Sequence, residues 1–443
     1  MVTNVTDKYL KMKIHILGIC GTFMGGLAQI LVEKGHAVSG SDKQFYPPMS
    51  DQLDSLGVDM VMGYEESDLP DADLYVIGNA LSRGNPSVEY ILNHKLDYTS
   101  GPKILGEIIQ DKTVIAVSGT HGKTSTSFLI CEIFKARGID VGFLVGGVSD
   151  SFKNSARLGS SNFFVVEADE YDSAFFDKRS KFIHYSPLNL IINNIEFDHA
   201  DIFDDINDIK KQFHHLIKII PNVGNIIYFQ DDANSLEVIK NGLWCKQIPI
   251  NSDSIKINFN SMELIVDREV FSIKDLPLIG EHNFRNYICA ILAARLDGVT
   301  INDSINSLKT FKGVLRRMDL VGEFSGVSIY DDFAHHPTAI KLSTSAIREN
   351  FPNKKILGLV ELGSNTMSSG HHKGDLLESY QLLDKTILLD HKKVYELENA
   401  FYSTEEILKE LKEIIFEYDI ILIMTNKDSQ KFIQPIINYL EEK

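Results

Sequence analysis

The sequence has few cysteines, no long apolar run and no excess of basic residues. Its cysteines, Cys20, Cys131, Cys245 and Cys289, are scattered without a C-x-x-C pair, which excludes an obvious disulfide framework and favours buried, reduced thiols. No apolar stretch approaches the ~20 residues that span a bilayer. Residues 1–13 also lack the apolar core of a signal peptide. We therefore expect a cytoplasmic protein that does not insert into membranes.

Positive charge is in deficit, with 44 Lys and Arg against 61 Asp and Glu and a net charge of −17 at pH 7. Such a surface repels phosphate backbones, so we expect no nucleic-acid partner. The 443 residues are too many for one core, and a prior of ~150 residues per domain predicts about three domains.

The most informative motif is a glycine-rich turn between an apolar strand and a helix. Residues 113–117 (TVIAV) lead into residues 119–125 (GTHGKTS). Backbone N–H groups of such a turn bind phosphate, its lysine adds positive charge, and its threonine hydroxyl can ligate Mg²⁺. Val117 stands where the common eight-residue P-loop needs glycine. The sequence therefore predicts a compact variant of the phosphate loop.

A second glycine-rich turn follows the first predicted strand. A strand over residues 13–17, a turn over 18–26 and a helix over 27–34 precede a strand near 36–40, which ends close to Asp42. An acidic residue about 20 positions beyond the turn is typical of a Rossmann nucleotide site. The spacing G-x-x-G-x-x-x-G differs from the dinucleotide fingerprint, so a nicotinamide-dependent redox enzyme is the weaker alternative here.

Two later strands end in side chains that could bind a metal ion. Residues 162–166 lead into Glu167, and residues 188–192 lead towards His199. Because the carboxyl ends of parallel strands meet at one edge of a sheet, we expect both side chains to share a cavity with Thr124. Hard oxygen ligands and one imidazole suit Mg²⁺ bound partly by nucleotide phosphates. The acidic residues just after Glu167 fit a solvated charge run equally well.

The C-terminal part of the chain carries two further charged clusters. Arg316 and Arg317 follow Gly313, where we place a domain boundary, and such a pair can close on a transferring phosphoryl group. Residues 331–337 (DDFAHHP) follow a strand, and their titratable groups indicate a site. A solvated surface is the alternative for both clusters.

The remaining periodicity predicts further helices and strands. We expect helices over 124–137 and 283–295, an antiparallel elaboration over 222–275, and strands at 74–78, 327–330, 355–360 and 420–424.

These motifs occur in the order typical of the Mur ligases, which the chain resembles over nearly its whole length. The resemblance is carried by GTHGKTS, by the arginine pair, by DDFAHHP, and by residues 167–170 (EADE), 194–199 (NIEFDH) and 280–283 (GEHN). It implies an α/β fold of three domains and a monomer or weak homodimer. The domains would be a Rossmann-like UDP-sugar domain (12–101), a central P-loop ATPase domain with a mostly parallel sheet (102–312), and a Rossmann-like C-terminal domain that binds the incoming peptide and closes on ATP (313–443).

Enzymes of this family use ATP to activate a carboxylate as an acyl phosphate, which an amine then attacks. Residues 18–26, 167–181 and 364–367 resemble one branch of the family. That branch joins UDP-N-acetylmuramate to the tripeptide L-alanyl-γ-D-glutamyl-meso-diaminopimelate in peptidoglycan recycling. The branch that adds L-alanine in peptidoglycan biosynthesis is the alternative, and a nucleotide-binding regulator that has lost ligation is a third.

The resemblance also implies roles for individual residues. The residues implied for ATP are Gly119, Thr120, Gly122, Lys123, Thr124, Ser125, Asn283, Asn286 and Asp331. Those implied for Mg²⁺ are Thr124, Glu167 and His199. Those implied for the UDP-sugar are Gly21, Thr22, Asp42, Asn79, Ser82 and His121. Those implied for catalysis are Lys123, His199, Arg316, Arg317 and His335, and those implied for the peptide are Ser364, Asn365 and Thr366.

Two departures from the family pattern lie in the third segment. Leu362-Gly363 replaces the usual Pro-Arg pair, and Asn426-Lys427-Asp428 replaces the usual Asn-Gly-Gly turn. The third residue of the peptide, meso-diaminopimelate or lysine, stays open for this reason. Lys210 and Lys211 do not match the carbamylated lysine that some relatives use.

Overall fold

The computed structural model describes residues 11–45 and 49–443, so most of the segment considered as a signal peptide lies outside the described residues. Three sheets, of five, seven and six strands, follow one another along the chain and define N-terminal, central and C-terminal domains. No disulfide joins the four cysteines, all of which are in the described part of the chain. Within that part, no helix is long and apolar enough to cross a membrane.

The N-terminal sheet is wholly parallel, with the order β3-β2-β1-β4-β5. Its elements are β1 (Lys13–Leu17), α1 (Thr22–Glu33), β2 (Ala37–Asp42), α2 (Met49–Ser55), β3 (Asp59–Met62), β4 (Leu74–Ile77), α3 (Pro86–Asn93) and β5 (Tyr98–Ser100), followed by α4 (Gly101–Ile109). The order reverses at β1, and ligands of open α/β sheets bind at such a switch point.

Helix α1 begins at Thr22, five residues before the predicted start. Gly25 and Gly26, which the prediction placed in the turn, lie inside the helix. A Cβ atom on Gly25 would lie 2.0 Å from the Met49 sulfur, and one on Gly26 would lie 3.1 Å from the Ala156 Cβ. The two glycines therefore allow close packing against α2 and the central domain, although by sequence they resemble a turn.

The central sheet has the order β14-β13-β12-β6-β9-β7-β8, and all its pairs except β7–β8 are parallel. Its strands and helices are β6 (Thr113–Ser118), α5 (Lys123–Ala136), β7 (Gly142–Leu144), β8 (Ala156–Arg157), β9 (Phe163–Glu167), β12 (Asn189–Ile192), α6 (Ile206–Lys218), β13 (Asn225–Phe229), α7 (Ala233–Lys240) and β14 (Lys246–Ile250). Outside it lie β10 (Asp172–Ala174), β11 (Asp177–Ser180), β15 (Ile255–Asn258), β16 (Glu263–Val266), β17 (Glu269–Ser272), α8 (Glu281–Leu296) and α9 (Ile301–Leu308).

The region predicted as an antiparallel elaboration divides into two parts. Within residues 222–275, only β15, β16 and β17 form an antiparallel sheet. Strands β13 and β14 instead extend the central sheet in parallel, because the intervening helix α7 provides the crossover that parallel strands need. The antiparallel prediction was therefore wrong for residues 225–250.

The C-terminal sheet has the order β18-β19-β23-β20-β21-β22, and only β18 runs antiparallel to its neighbour. Its elements are β18 (Asp319–Phe324), β19 (Val327–Asp332), α10 (Pro337–Asn350), β20 (Ile356–Glu361), α11 (Asn365–Ser368), α12 (Lys373–Ser379), β21 (Lys385–Leu389), β22 (Ala400–Phe401), α13 (Thr404–Ile414), β23 (Ile420–Met424) and α14 (Gln430–Glu441). The strands predicted near 327, 355 and 420 correspond to β19, β20 and β23.

Candidate active site

A cavity of about 1000 Å³ lies where the three domains meet. The carboxyl ends of β6, β9 and β12 open into it from the central sheet. The N-terminal domain contributes Asp42, and the C-terminal domain contributes Arg317 and His335. Thr124, Glu167 and His199 all line this cavity, as their places at neighbouring strand ends predicted.

The phosphate loop requires glycine at two positions. Gly119 and Gly122 have φ angles of 126° and 81°. A Cβ atom would lie 2.8 Å from the Asn194 carbonyl oxygen at the first position and 2.4 Å from Asn286 Oδ1 at the second. Helix α5 starts directly after this turn at Lys123, so its first backbone N–H groups face the loop, as an anion-binding site requires.

The ammonium group of Lys123 contacts the carboxylate of Glu170. Its Nζ donates to the Gly119 carbonyl oxygen at 2.6 Å and lies 3.3 Å from Glu170 Oε2. The other oxygen, Oε1, lies 3.2 Å from His199 Nε2. Only 1% of Glu170 is exposed. The acidic run after Glu167 is therefore partly internal, and the solvated alternative was wrong for Glu170.

The charges around Glu170 and His199 set the protonation states of these two side chains. Burial alone would raise the pKa of Glu170, but Lys123 and His199 hold it below its usual range. Burial alone would lower the pKa of His199, but the hydrogen bond to Glu170 and the nearby carboxylates, including Asp198, raise it. The structure thus favours an ionised carboxylate between two cations.

Two sets of hard ligands lie side by side. Thr124 Oγ1 donates to Glu167 Oε1 at 3.1 Å, and the Gly146 N–H holds the second carboxylate oxygen at 2.7 Å. In the second set, His199 Nε2 lies 3.2 Å from Glu170 Oε1. Three ligand atoms, one each from Asp169, Glu170 and His199, lie within 4.8 Å of one another. Oxygen-rich sets of this kind fit Mg²⁺.

The arginine pair separates into two environments. Arg317 is half-buried over the Phe333 ring, and its Nη2 lies 3.4 Å from Thr124 Oγ1. Arg316, with φ of 60°, donates through Nη2 to the carbonyl oxygens of Thr425 and Lys427, both at 2.7 Å. Arg317 lines the cavity and Arg316 does not. Only one arginine of the pair therefore faces the phosphate loop.

Asp331 and Ser82 also lie outside the cavity lining. Asp331 accepts a hydrogen bond from Ser429 Oγ at 2.7 Å and pairs with Arg316 at 3.3 Å. Its neighbour Asp332 lines the cavity instead and accepts the Ala334 N–H at 2.7 Å. In this structure Asp331 contacts protein groups at the position expected to meet the ribose.

His335 lines the cavity as a neutral imidazole. Burial lowers its pKa to about 4. Its Nδ1 lies 2.8 Å from the Phe333 carbonyl oxygen, so Nδ1–H donates there and Nε2 keeps a lone pair. Such a group stays neutral at pH 7 and can accept a hydrogen bond through Nε2.

The residues expected at the adenine end form a polar group at the start of α8. Asn283 Nδ2 donates to the Ile279 carbonyl oxygen at 2.7 Å, and Thr126 Oγ1 donates to Asn286 Oδ1 at 3.2 Å. Both asparagines line the cavity. Asn286 Nδ2 donates to Asn283 Oδ1 at 3.4 Å, and Asn286 Oδ1 lies beside Gly122 of the phosphate loop.

At the UDP-sugar end, the switch point of the N-terminal sheet opens into the same cavity. Asp42 accepts the Cys20 N–H at 2.9 Å and the Tyr64 hydroxyl at 3.2 Å. Among the residues implied for the UDP-sugar, those that line the cavity are Gly21, Thr22, Asp42, Asn79 and His121.

The stretch 167–181 places two distinctive side chains at this cavity. Lys181 donates to Asp169 at 2.9 Å and lies over the Tyr171 ring, 5.5 Å from its centroid. Tyr171 in turn packs against the His199 ring, with 4.2 Å between centroids.

Hydrogen bonds join the central and C-terminal domains beside the cavity. Thr338 Oγ1 donates to Glu196 Oε2 at 2.6 Å, and His336 Nε2 lies 3.2 Å from the Phe197 carbonyl oxygen. Burial is the main cause that lowers the pKa of His336 to about 3, and the nearby His121 and His372 lower it further. A neutral His336 therefore donates through Nε2 at this interface.

The residues implied for the peptide have unequal surroundings. All three line the cavity, and Ser364 caps α11 by accepting the Met367 N–H at 3.2 Å. Thr366 is 1% exposed and donates to Asp198 Oδ1 at 2.7 Å. Its hydroxyl is thus bonded to the central domain.

The two departures from the family pattern meet in space. A Cβ atom on Gly363 would lie 3.0 Å from Lys427 Cγ and 3.1 Å from Asn426 Oδ1. The stem of Lys427 therefore occupies the space beside residue 363. Lys427 lines the cavity, and none of the carboxylates in the described residues forms an ion pair with its ammonium group.

Sequence comparison shows that the chain belongs to the Mur ligase family, whose members form amide bonds with ATP. Three family models match it: the Mur ligase family catalytic domain over residues 13–113, the Mur ligase middle domain over residues 117–294, and the Mur ligase glutamate ligase domain over residues 316–427.

Two relatives have the same name, UDP-N-acetylmuramate–L-alanyl-γ-D-glutamyl-meso-2,6-diaminoheptandioate ligase. The Escherichia coli protein is 47% identical over 387 residues and the Haemophilus influenzae protein 43% over 385 residues, covering 85% of both chains in each case. The crystal structure of a murein peptide ligase from Psychrobacter arcticus has a TM-score of 0.78 at 36% identity and covers 98% of this chain and 99% of its own. The predicted three-domain α/β fold is thereby confirmed.

Proposed function

We propose that this Mur ligase joins UDP-N-acetylmuramate to L-alanyl-γ-D-glutamyl-meso-diaminopimelate in a reaction that needs ATP and Mg²⁺. The observation that carries the proposal is the 47% identity to the Escherichia coli ligase of that name over 85% of both chains. The L-alanine-adding ligase of Clostridium acetobutylicum is only 32% identical over a similar length. L-Alanine is therefore the second candidate for the incoming amine.

The phosphate loop and its neighbours supply the ATP site of the proposal. Lys123 and the first N–H groups of α5 would bind the β- and γ-phosphates, and Asn283 and Asn286 would face the adenine. Thr124 with Glu167 would hold one Mg²⁺, and His199 with Glu170 and Asp169 offers a second donor set. Bound Mg²⁺ supplies charge neutralisation for the phosphates.

The proposed reaction has two chemical steps. A carboxylate oxygen of UDP-N-acetylmuramate attacks the γ-phosphorus, and the bond from that phosphorus to the ADP oxygen breaks. The peptide amine then attacks the acyl carbon, a C–N bond forms, and phosphate leaves. Arg317 would stabilise the charge on the transferring group, His335 Nε2 would hold the amine by accepting its hydrogen bond, and the proton that the amine loses would pass to the leaving phosphate.

Phosphate release measured with omitted substrates tests the proposal. Release should require UDP-N-acetylmuramate, ATP and the tripeptide together, and Lys123→Ala should lower it at least about 100-fold. Lys210→Ala is the control, because Lys210 pairs with Glu237 at 2.6 Å and does not line the cavity. Release with L-alanine but not with the tripeptide would instead establish the biosynthetic ligase.

We also propose that the enzyme acts in the cytoplasm as a monomer or weak homodimer, with domain boundaries near residues 101 and 312. Its proposed substrates, two nucleotides and a peptide, are all water-soluble molecules. Sedimentation equilibrium and limited proteolysis of the full chain test the oligomeric state and the boundaries.

A further inference from the structure

One hydroxyl of the C-terminal domain bonds both residues that flank His199, the carboxylate of Asp198 and the backbone N–H of Ala200. Thr366 Oγ1 donates to Asp198 Oδ1 at 2.7 Å and accepts the Ala200 N–H at 3.2 Å. The same Asp198 oxygen accepts the His199 N–H at 2.7 Å. Thr366 and Asp198 are both buried, so water competes little for these bonds.

The backbone of His199 needs such support. Its φ angle is 60°, in the left-handed region that residues other than glycine rarely adopt. Conformations of this kind persist where surrounding bonds over-determine them. In this conformation the imidazole Nε2 lies 3.2 Å from Glu170 Oε1, inside the cavity.

We propose that Thr366 is a positioning residue that couples docking of the C-terminal domain to the active conformation of His199. The catalytic consequence of this coupling rests on the proposed function. While the domain is docked, the Thr366 hydroxyl bonds Asp198 and Ala200 and so fixes the turn between them. When the domain moves away, both groups lose this partner. In this role the Thr366 hydroxyl acts on the central domain.

The same movement would bring a second group into the cavity. Arg317 belongs to the C-terminal domain, and its Nη2 lies 3.4 Å from Thr124 Oγ1 of the phosphate loop. Docking therefore places Arg317 and fixes His199 together. This coupling delays assembly of the site until the domains close, which limits wasteful transfer of the phosphoryl group to water.

Amide hydrogen exchange of the full-length protein, measured without turnover on a peptide covering residues 195–203, tests the coupling. Thr366→Val removes the hydroxyl at nearly constant volume and should speed exchange of the His199 and Ala200 amides about tenfold. Thr366→Ser keeps the hydroxyl and should restore slow exchange. If Thr366→Val folds poorly, Thr366→Ala takes its place, and we expect the same increase in the exchange rate.

Thr338→Val is the matched control. It removes another hydroxyl bond between the same two domains, to Glu196 Oε2, without touching Asp198 or Ala200. Exchange at His199 and Ala200 should stay as in the wild type. Wild-type exchange at these amides in Thr366→Val would overturn the proposal.

Steady-state kinetics separate this role from a peptide contact. Loss of positioning should lower kcat for Thr366→Val with little change in KM for the tripeptide, whereas a lost peptide contact would raise that KM and leave exchange unchanged. If the wild type does not ligate the tripeptide, the proposed function fails, but the exchange result still decides whether Thr366 holds His199.

Discussion

The ammonium of Lys123 lies 3.3 Å from a carboxylate oxygen of Glu170, which the fold buries almost completely. Glu170 reaches His199 with its other oxygen. One carboxylate therefore connects the lysine proposed for phosphate binding with the imidazole proposed for metal binding. Binding of ATP has to exchange or share these contacts, so Glu170 controls the position of both groups.

We expect Glu170→Gln to lower phosphate release about 100-fold, because a neutral amide cannot hold two cations in place. The variant should remain folded, since the amide has the shape of the carboxyl group. Glu237→Gln, which neutralises the partner of Lys210 outside the cavity, is the control. Steady-state phosphate release measures both, and equal rates for Glu170→Gln and wild type would contradict the role given to Glu170.

The arginine pair should divide functionally as it divides in space. Arg317→Ala should lower kcat about 100-fold with a smaller change in thermal stability, because its guanidinium faces the phosphate loop. Arg316→Ala should chiefly lower the melting temperature, because two carbonyl oxygens lose their donor. Kinetics and thermal unfolding of the two variants check this, and a larger loss of kcat in Arg316→Ala would reverse the assignment.

Lys427 should contribute to binding of the incoming peptide. Lys427 lines the cavity, its ammonium has no ion-pair partner among the carboxylates of the described chain, and the tripeptide carries several carboxylates. We expect Lys427→Ala to raise KM for the tripeptide about tenfold, since a charge-assisted hydrogen bond is lost. The KM for ATP should not change. A rise confined to ATP would show that Lys427 serves the nucleotide instead.

His15 should make the stability of the N-terminal domain depend on pH. Its side chain is buried between Ser39 and Ser41, and burial lowers its pKa to about 4. Between pH 6.5 and about 4 the unfolded chain binds a proton that the folded domain refuses, so stability falls as pH falls.

From pH 7 to pH 5 this linkage should cost about 2 kcal/mol. The variant His15→Gln keeps polar groups near both serines but cannot titrate. Urea unfolding at the two pH values should therefore show a smaller loss for the variant than for the wild type. Equal losses would mean that His15 is already charged in the folded protein.

The sequence predicted best those features that depend on local pattern. The phosphate loop, the strands leading to Glu167 and His199, and the order of the three segments follow from apolar runs and glycine spacing. Features set by distant contacts were missed. The early start of α1 depends on the packing of Gly25 against Met49, which no local pattern reports.

Side-chain partners within the site were the least predictable. Glu170 belongs to a charged run that looks solvated, and only the fold brings Lys123 and His199 to it. Adjacent arginines look equivalent, yet the left-handed backbone of Arg316 separates it from Arg317. The place of Glu170 in the EADE motif, residues 167–170, was the one signal that could have identified it.

Competition between amines tests the central claim most directly. The wild-type enzyme would receive UDP-N-acetylmuramate, ATP and Mg²⁺ with equal concentrations of L-alanine and L-alanyl-γ-D-glutamyl-meso-diaminopimelate, and mass spectrometry would identify the products. The account predicts UDP-N-acetylmuramoyl-tripeptide as the main product. UDP-N-acetylmuramoyl-L-alanine as the main product would contradict it.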